Sequence, residues 1–469
     1  MRKFLVVFAA LTLILAFTAV DSMAKAKVSF KGDIRFRGWS IDNLDRDDMG
    51  NDSQQVMDMR GRFKMTAKAS DDLQGVFYFE IGDSYMGEME TATVAYGSSQ
   101  GFRNDNDATM VEVKQMYIDF KLPWNKAFNF QMGAVPAYDL PKGIVMGMDA
   151  AGIKGKYEFK NGKLIAYFYK DKENVTQAAD RDVMGGILFY NITKDIRIGG
   201  HVTYTNDRAN LHDTLTDNPG SLDHIYWYGL TANGKIPTQV PLKFTADLII
   251  MDGERDYDVG ATTSGTNTLV TDWEGYAVDV TVGGDIGPIY LEAFYQYASG
   301  DNNPNDEKEK LWRNIETGKE DFRRMMIVSG YKGFDSGSLS DSNGDFLAAG
   351  YNGVSMIGAK AVYKPTSKLK LTGMFANVMA AEDSDKYGSV YYSTSKFDRD
   401  VYKRGNKDIG NELDLIVDYK VYKELSLRGV AAYMFSGDYF KETADTASNT
   451  GALSPDDVWF LGYNFTYKF

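Results

Sequence analysis

Apolar and polar residues alternate along this chain in segment after segment, and every second connection between segments is short. A period of two puts the two sets on opposite faces of a β-strand. In Val28–Gly38, Val28, Phe30, Ile34 and Phe36 alternate with Lys31, Asp33, Arg35 and Arg37. In Val56–Ala69, Met57, Met59, Phe63 and Met65 alternate with Asp58, Arg60, Arg62, Lys64 and Lys68. Only Ser70-Asp71-Asp72 then precedes Leu73–Asp83, where Phe77, Phe79 and Ile81 oppose Glu80. The rhythm continues through Met110–Leu122, whose phase slips near Lys114 as at a β-bulge. Asn161-Gly162 is a two-residue hairpin signal between two further segments. The last stretch, Asp457–Phe469, carries Trp459, Leu461, Tyr463, Phe465, Tyr467 and Phe469 on one face.

About 18 such strands can be placed, within a range of 16 to 20, joined alternately by turns of a few residues and loops of roughly ten to fifty. The count is weakest over Ser299–Asn352, the largest loop, where Phe322–Val328 has the composition of a further strand. A soluble sandwich has no reason to keep every second connection short. A membrane-spanning barrel does, because its periplasmic turns are short, its extracellular loops long and its strand number even. Strands of about 9–11 residues suit a tilted crossing of the hydrocarbon layer, and lipid requires that the sheet close on itself. The predicted fold class is therefore all-β: a closed antiparallel transmembrane β-barrel of about 18 strands. The competing reading is a large secreted β-protein such as an adhesin or a solenoid.

Composition agrees with many strands. The 469 residues include 46 Gly, 30 Tyr and 27 Phe but only 10 Pro. A net charge of −13 argues against a nucleic-acid partner. The absence of Cys removes disulfides, an acylated-cysteine anchor and thiolate metal sites. Arg2 and Lys3 precede an apolar run from Phe4 to Val20, and Ser22-Met23-Ala24 follows. That order predicts a secretory signal peptide over residues 1–24, cut after Ala24, with the barrel over 25–469. The apolar run is short for a spanning helix, and no later stretch approaches 18 apolar residues. The expected location is a bacterial outer membrane.

A barrel of this size encloses water, so the inward polar face should carry the function. Its expected basic lining is Lys31, Arg35, Arg37, Arg60, Arg62, Lys64, Lys68, Lys154, Lys156, Arg197, Lys243, Lys370 and Arg428. Its expected acidic lining is Asp33, Asp58, Glu80, Glu158, Asp247, Asp279, Glu292, Glu412, Asp414 and Asp418. Much of the remaining acid lies in loops, as at Asp42, Asp45, Asp47, Asp48 and Asp52, or at Asp438, Glu442, Asp445, Asp456 and Asp457. A basic wall attracts anions, whereas the same charges paired with neighbouring acids would merely wet the pore. Either Ser299–Asn352 or Pro136–Ala150 could fold inward as the constriction. The expectation is a porin for small hydrophilic anions, with a loop-displaying adhesin barrel as the alternative. No enzyme is expected, because the three histidines, His201, His212 and His224, come with no nucleophile motif. No cofactor is expected either. Asp341-Ser342-Asn343-Gly344-Asp345 has carboxylate spacing like a calcium loop but lacks the later Glu, leaving only loose Ca²⁺ or Mg²⁺ at acidic loops.

Gly410-Asn411-Glu412-Leu413-Asp414, Tyr419, Leu425-Ser426-Leu427 and Ser436-Gly437-Asp438 resemble the last hairpin of alginate-export-type barrels. Tyr297-Ala298-Ser299-Gly300-Asp301 looks like an earlier copy of the same strand ending. Tyr117-Ile118-Asp119-Phe120 followed by Phe130-Gln131-Met132-Gly133 is similar to general and substrate-specific porins of Gram-negative bacteria. The resemblance is specific over the last 60 residues or so and architectural elsewhere. It implies an 18-stranded outer-membrane channel with a basic lumen, and a polysaccharide or organic-anion channel as a variant of that role. It also implies lipid and lipopolysaccharide around the barrel, assembly machinery that reads the C-terminal strand, and a homotrimer as one assembly open to it.

Overall fold

A sheet that crosses a bilayer must leave no unpaired edge, because hydrocarbon offers nothing to bind a free N–H or C=O. The computed structural model meets that condition. It describes residues 26–43, 53–86, 111–140, 143–172, 180–207, 221–257, 272–302, 308–315, 324–329, 353–382, 406–440 and 457–469. The signal segment 1–24, Asp45, Asp47, Asp48, Asp52, His212, Asp341–Asp345, Glu442, Asp445 and Asp456 lie outside those residues.

The first half of the wall comprises β1 (Lys27–Asp42), β2 (Gln54–Ser70), β3 (Leu73–Tyr85), β4 (Val111–Leu122), β5 (Asn125–Tyr138), β6 (Gly147–Phe159), β7 (Gly162–Lys172), β8 (Arg181–Asn191) and β9 (Ile196–Asp207). There follow β10 (Ser221–Ile236), β11 (Leu242–Tyr257), β12 (Asp272–Ile286), β13 (Ile289–Ala298) and the two-residue β14 (Lys308–Glu309). The chain ends with β15 (Val354–Tyr363), β16 (Leu369–Met379), β17 (Asp408–Lys420), β18 (Leu425–Ser436) and β19 (Val458–Lys468). Eighteen of these form a closed antiparallel barrel: neighbours in sequence pair, β13 pairs with β15, and β19 returns to β1. The closing ladder runs from Asp33↔Lys468 to Asp42↔Trp459. Beyond it, Gly32 and Phe469 exchange both backbone hydrogen bonds at 3.0 Å. β14 is the exception; it lies parallel to β12 and extends the wall beyond the end of β13.

Short turns and long connections alternate around the whole ring. The phase slip at Lys114 is a bulge: Tyr78 faces Gln115 while Phe79 faces Val113, leaving Lys114 unopposed. A second bulge sits where Val378 pairs with Gly410 but Met379 pairs with Asp408. Gly410 has φ +136°, and a Cβ there would collide with the Phe435 carbonyl oxygen, so the first residue of the Gly410–Asp414 motif must be glycine.

The two faces differ as the alternation predicts. Outward on β19 lie Trp459, Leu461, Tyr463, Phe465 and Tyr467, with Phe469 after them, and Leu461 is 58% exposed. Leu230, Ile357, Leu413 and Leu415 stand on the same outer surface. Inward lie the buried Arg35, Arg37, Asp58, Glu80, Asp279, Glu412 and Asp414. Toward the end with the long loops, however, the inner face turns apolar. There Trp39, Ile41, Trp227, Ile249, Trp273, Met356, Val378 and Phe460 belong to one buried cluster.

Candidate functional site

Described parts of both candidate constrictions, residues 143–146 and residues 312–315 and 324–329, pack against inward-facing residues of the wall. After β5, Leu140, Ile144, Val145 and Met146 are buried, and Asp139 accepts hydrogen bonds from the amides of Val145 (3.0 Å) and Met146 (3.4 Å). Burial pushes the Asp139 carboxyl up to about 7, and those two amides pull the other way. The second stretch, between β13 and β15, is tied to several parts of the wall. Trp227 Nε1 donates to the Arg313 carbonyl (2.9 Å), and the Ile315 amide donates to the Val145 carbonyl (2.9 Å), joining the two stretches. The guanidiniums of Arg255 and Arg313 both lie over the Trp273 ring, 4.4 and 4.3 Å from its centroid. Phe322–Val328 was the place for a further strand; its described part, from 324, forms instead the four-residue helix α1 (Met326–Ser329). The reason is local: the Met326 amide bonds Asp414 (3.0 Å), and those of Ile327 and Val328 bond Glu412 (2.5 and 2.9 Å), so no ladder partner is needed.

Arg324 completes this anchor. Its Nη2 lies 2.8 and 2.9 Å from the two oxygens of Asp279, which is 0% exposed, and its Nη1 lies 3.8 Å from Glu292. Gln296 also donates to Asp279, and Lys360 to Glu292. The Asp247 row of β11 sits directly beside Asp279 in register.

The basic residues of β1 and β2 share one inward face. Arg35 registers with Arg60, and Arg37 with Asp58. Asp58 pairs with both Arg37 (2.5 Å) and Arg35 (3.5 Å). Glu80 receives Arg62, Arg60 (3.9 Å) and Lys114 (3.6 Å), and Asp33 lies 4.0 Å from Arg60. Among the described residues, Asp58 and Glu80 each meet more than one cation of this wall. Lys64 reaches Gln115 and the Tyr78 ring, Lys31 registers with Lys64, and Lys68 pairs with Asp71 at the turn. Elsewhere Lys243 meets Asp285, Lys370 and Arg428 share Asp418, Lys156 holds Glu158, and Lys154 Nζ binds the Pro136 carbonyl. Arg197 lies over the Phe189 ring. His201 is 4% exposed with both ring nitrogens unbonded. Among the described residues, no group of three His, Asp or Glu side chains is placed to hold a metal.

Sequence reasoning missed Lys114, Asp139, Lys163, Arg313 and Arg324. Arg313 and Arg324 have no periodic context, and Lys163 was absorbed into the turn signal of Asn161-Gly162 although its parity matches the inner face.

A family model described as alginate export matches residues 169–453, well over half of the chain. The chain belongs to the alginate export family. Its fold is similar to that of Pseudomonas aeruginosa OprD, with TM-score 0.52 and 14% identity, covering 96% of this chain and 97% of that one. It is also similar to OccK8 (OprE) of the same organism, with TM-score 0.54 and 12% identity over 94% and 98%, and to OccK9 (OpdG), with 0.53 and 14% over 94% and 98%. No curated protein matches in sequence. The family and the closed 18-stranded barrel place the alginate-export barrel in the outer membrane, as a channel of the porin type.

Proposed function

We propose that this barrel passes small hydrophilic anions by passive diffusion through a basic lumen. The observation that carries the reading is the inward face of β1 and β2, where Asp58 and Glu80 each serve more than one cation. A cationic wall in a narrowed aqueous path raises the local concentration of anions. The two inward stretches favour small solutes, since joined chains inside the lumen leave less width for a polymer. The family match favours a second reading, an export or uptake channel for a polysaccharide or organic anion. We attribute no catalysis and no cofactor to the barrel, and take lipid and lipopolysaccharide as its surroundings. The signal peptide, recognition of the closing strand by assembly machinery, and a homotrimer belong to the same proposal.

Reversal potentials across a planar bilayer under a KCl gradient test the selectivity. The protein is expected to favour chloride, and replacing Arg35, Arg60 and Arg62 together by Ser is expected to cut that preference at least about two-fold, because three lumenal charges go and their carboxylate partners remain. An unchanged ratio would mean that this wall is not the filter. Cation preference in the parent protein would contradict the selectivity altogether.

A further inference from the structure

The outer face of the wall is not evenly filled. Where β11, β12, β13, β15, β16 and β17 run side by side, a groove of about 540 Å³ opens on it. Its floor is made of small outward residues: Ala293 on β13, Ala359 and Ala361 on β15, and Gly373 on β16. The register sets them side by side, since Ala293 pairs with Ala359 and Ala361 with Gly373. Phe375 and Leu413, also paired, stand exposed along one flank. On the other flank Val240 and Leu242 lean over Gly284, where a Cβ would come within 3.1 Å of both side chains. A Cβ built on Gly373 meets nothing within 4 Å, so the floor is open there. Glu292 and Lys360 also border the groove, but they belong to the inner face and are spent on each other at 2.6 Å.

An apolar hollow in this face meets hydrocarbon, and left empty it would deprive its lining of contacts. A flexible chain of methylenes fills it, and the volume falls within the roughly 300–1,000 Å³ of ligand sites. Position along the wall selects the leaflet. Ala293, Ala361 and Gly373 lie close to the short turns that join β12 to β13 and β15 to β16, the periplasmic end of a barrel. The rim at that end is cationic. Lys364 and Lys368 bracket the turn after β15, Lys420 ends β17, and the Lys420 amide donates to the Lys368 carbonyl at 2.9 Å. All three lysines are exposed, and among the described residues none of them meets a carboxylate. Lysines at another short turn are paired, Lys68 with Asp71 and both Lys121 and Lys126 with Asp72. Tyr363, Tyr419 and Tyr422 stand exposed nearby, the residue type of a membrane–water boundary.

We propose that this groove holds one phospholipid of the periplasmic leaflet, an acyl chain laid along its floor and an anionic headgroup at the lysines of the rim. The groove is continuous with the surface that already faces lipid, so nothing has to be uncovered for a chain to enter. Lysine stems lie along apolar surface while their ammonium groups stay at the headgroup level, which gives the rim its preference for negative charge. A second copy of the barrel fits less well, because its convex wall would bridge the hollow without filling it.

The test is native mass spectrometry of the full chain refolded in detergent, with equal amounts of phosphatidylglycerol and phosphatidylethanolamine added. The parent protein is expected to keep one lipid and to favour phosphatidylglycerol about five-fold, the factor one lysine near an anionic surface supplies. Gly373→Phe and Ala361→Phe fill the groove and are each expected to lower retention about ten-fold. Gly61→Phe is the control: Gly61 lies on the outer face of β2 with equally open space around its Cβ position, and retention should not change. Replacing Lys364, Lys368 and Lys420 together by Gln leaves the groove intact and should remove the headgroup preference while a lipid is still kept. Heat-modifiable migration in gels shows that each variant is folded. A parent protein that keeps no lipid, keeps both lipids equally, or loses none to the two groove substitutions overturns the site. A lipid-free oligomer that Gly373→Phe takes apart would give the groove to a second copy and overturn it as well. The readout needs no current, so its failure is distinct from failure of the channel reading, which shows as missing conductance.

Discussion

Arg324→Ala is expected to raise the single-channel conductance several-fold while leaving the barrel folded. Arg324 belongs to the inward stretch between β13 and β15, and its partner Asp279 belongs to the wall. The carboxylate is fully buried, so removing the guanidinium leaves it short of a cation at a cost of roughly 3–5 kcal/mol. The wall cannot respond, because β12 is paired along both edges. The strain therefore falls on the stretch, which opens locally rather than by global unfolding. Glu412→Ala should act in the same direction, since the amides of Ile327 and Val328 lose their acceptor at about 1–3 kcal/mol each. Glu412→Gln keeps an acceptor oxygen and should change conductance less. Step conductance in planar bilayers reads all three variants. Unchanged steps in folded Arg324→Ala protein would show that the stretch does not narrow the path.

Leu415→Arg should lower the folding free energy in vesicles by about 2–4 kcal/mol, the loss measured for a cation at the mid-plane of a barrel's lipid face. Leu415 lies near the middle of β17, points outward and is 53% exposed. Its inward neighbours in sequence, Asp414 and Ile416, are both buried, so register alone decides which side meets lipid. Urea titration of refolding, followed by heat-modifiable migration, measures the difference. A variant as stable as the parent would mean that this face does not lie in hydrocarbon.

The strands were legible because lipid on one side and water on the other force a period of two. Even the bulge at Lys114 showed as a break in phase. What stayed hidden obeys other constraints. Leu248, Ile249, Ile250 and Met251 form a continuous apolar run, which blurs the period. The reason is that Ile249 and Met251 face the inward stretches while Leu248 and Ile250 face out. Met325–Val328 shows no strand or helix period because wall carboxylates, not its own ladder, satisfy its amides. The lumenal charges could be placed by parity, but their pairing could not. Asp58 and Glu80 gather cations from strands that only the register brings together. The Glu412 and Asp414 of the family-like motif read as pore lining, yet they hold α1 in place.

The most direct test of a water-filled channel is current through purified protein in planar bilayers. Stable stepwise conductances are predicted, with ohmic growth in KCl. Protein shown by heat-modifiable migration to be folded and inserted, yet carrying no steps, would contradict it.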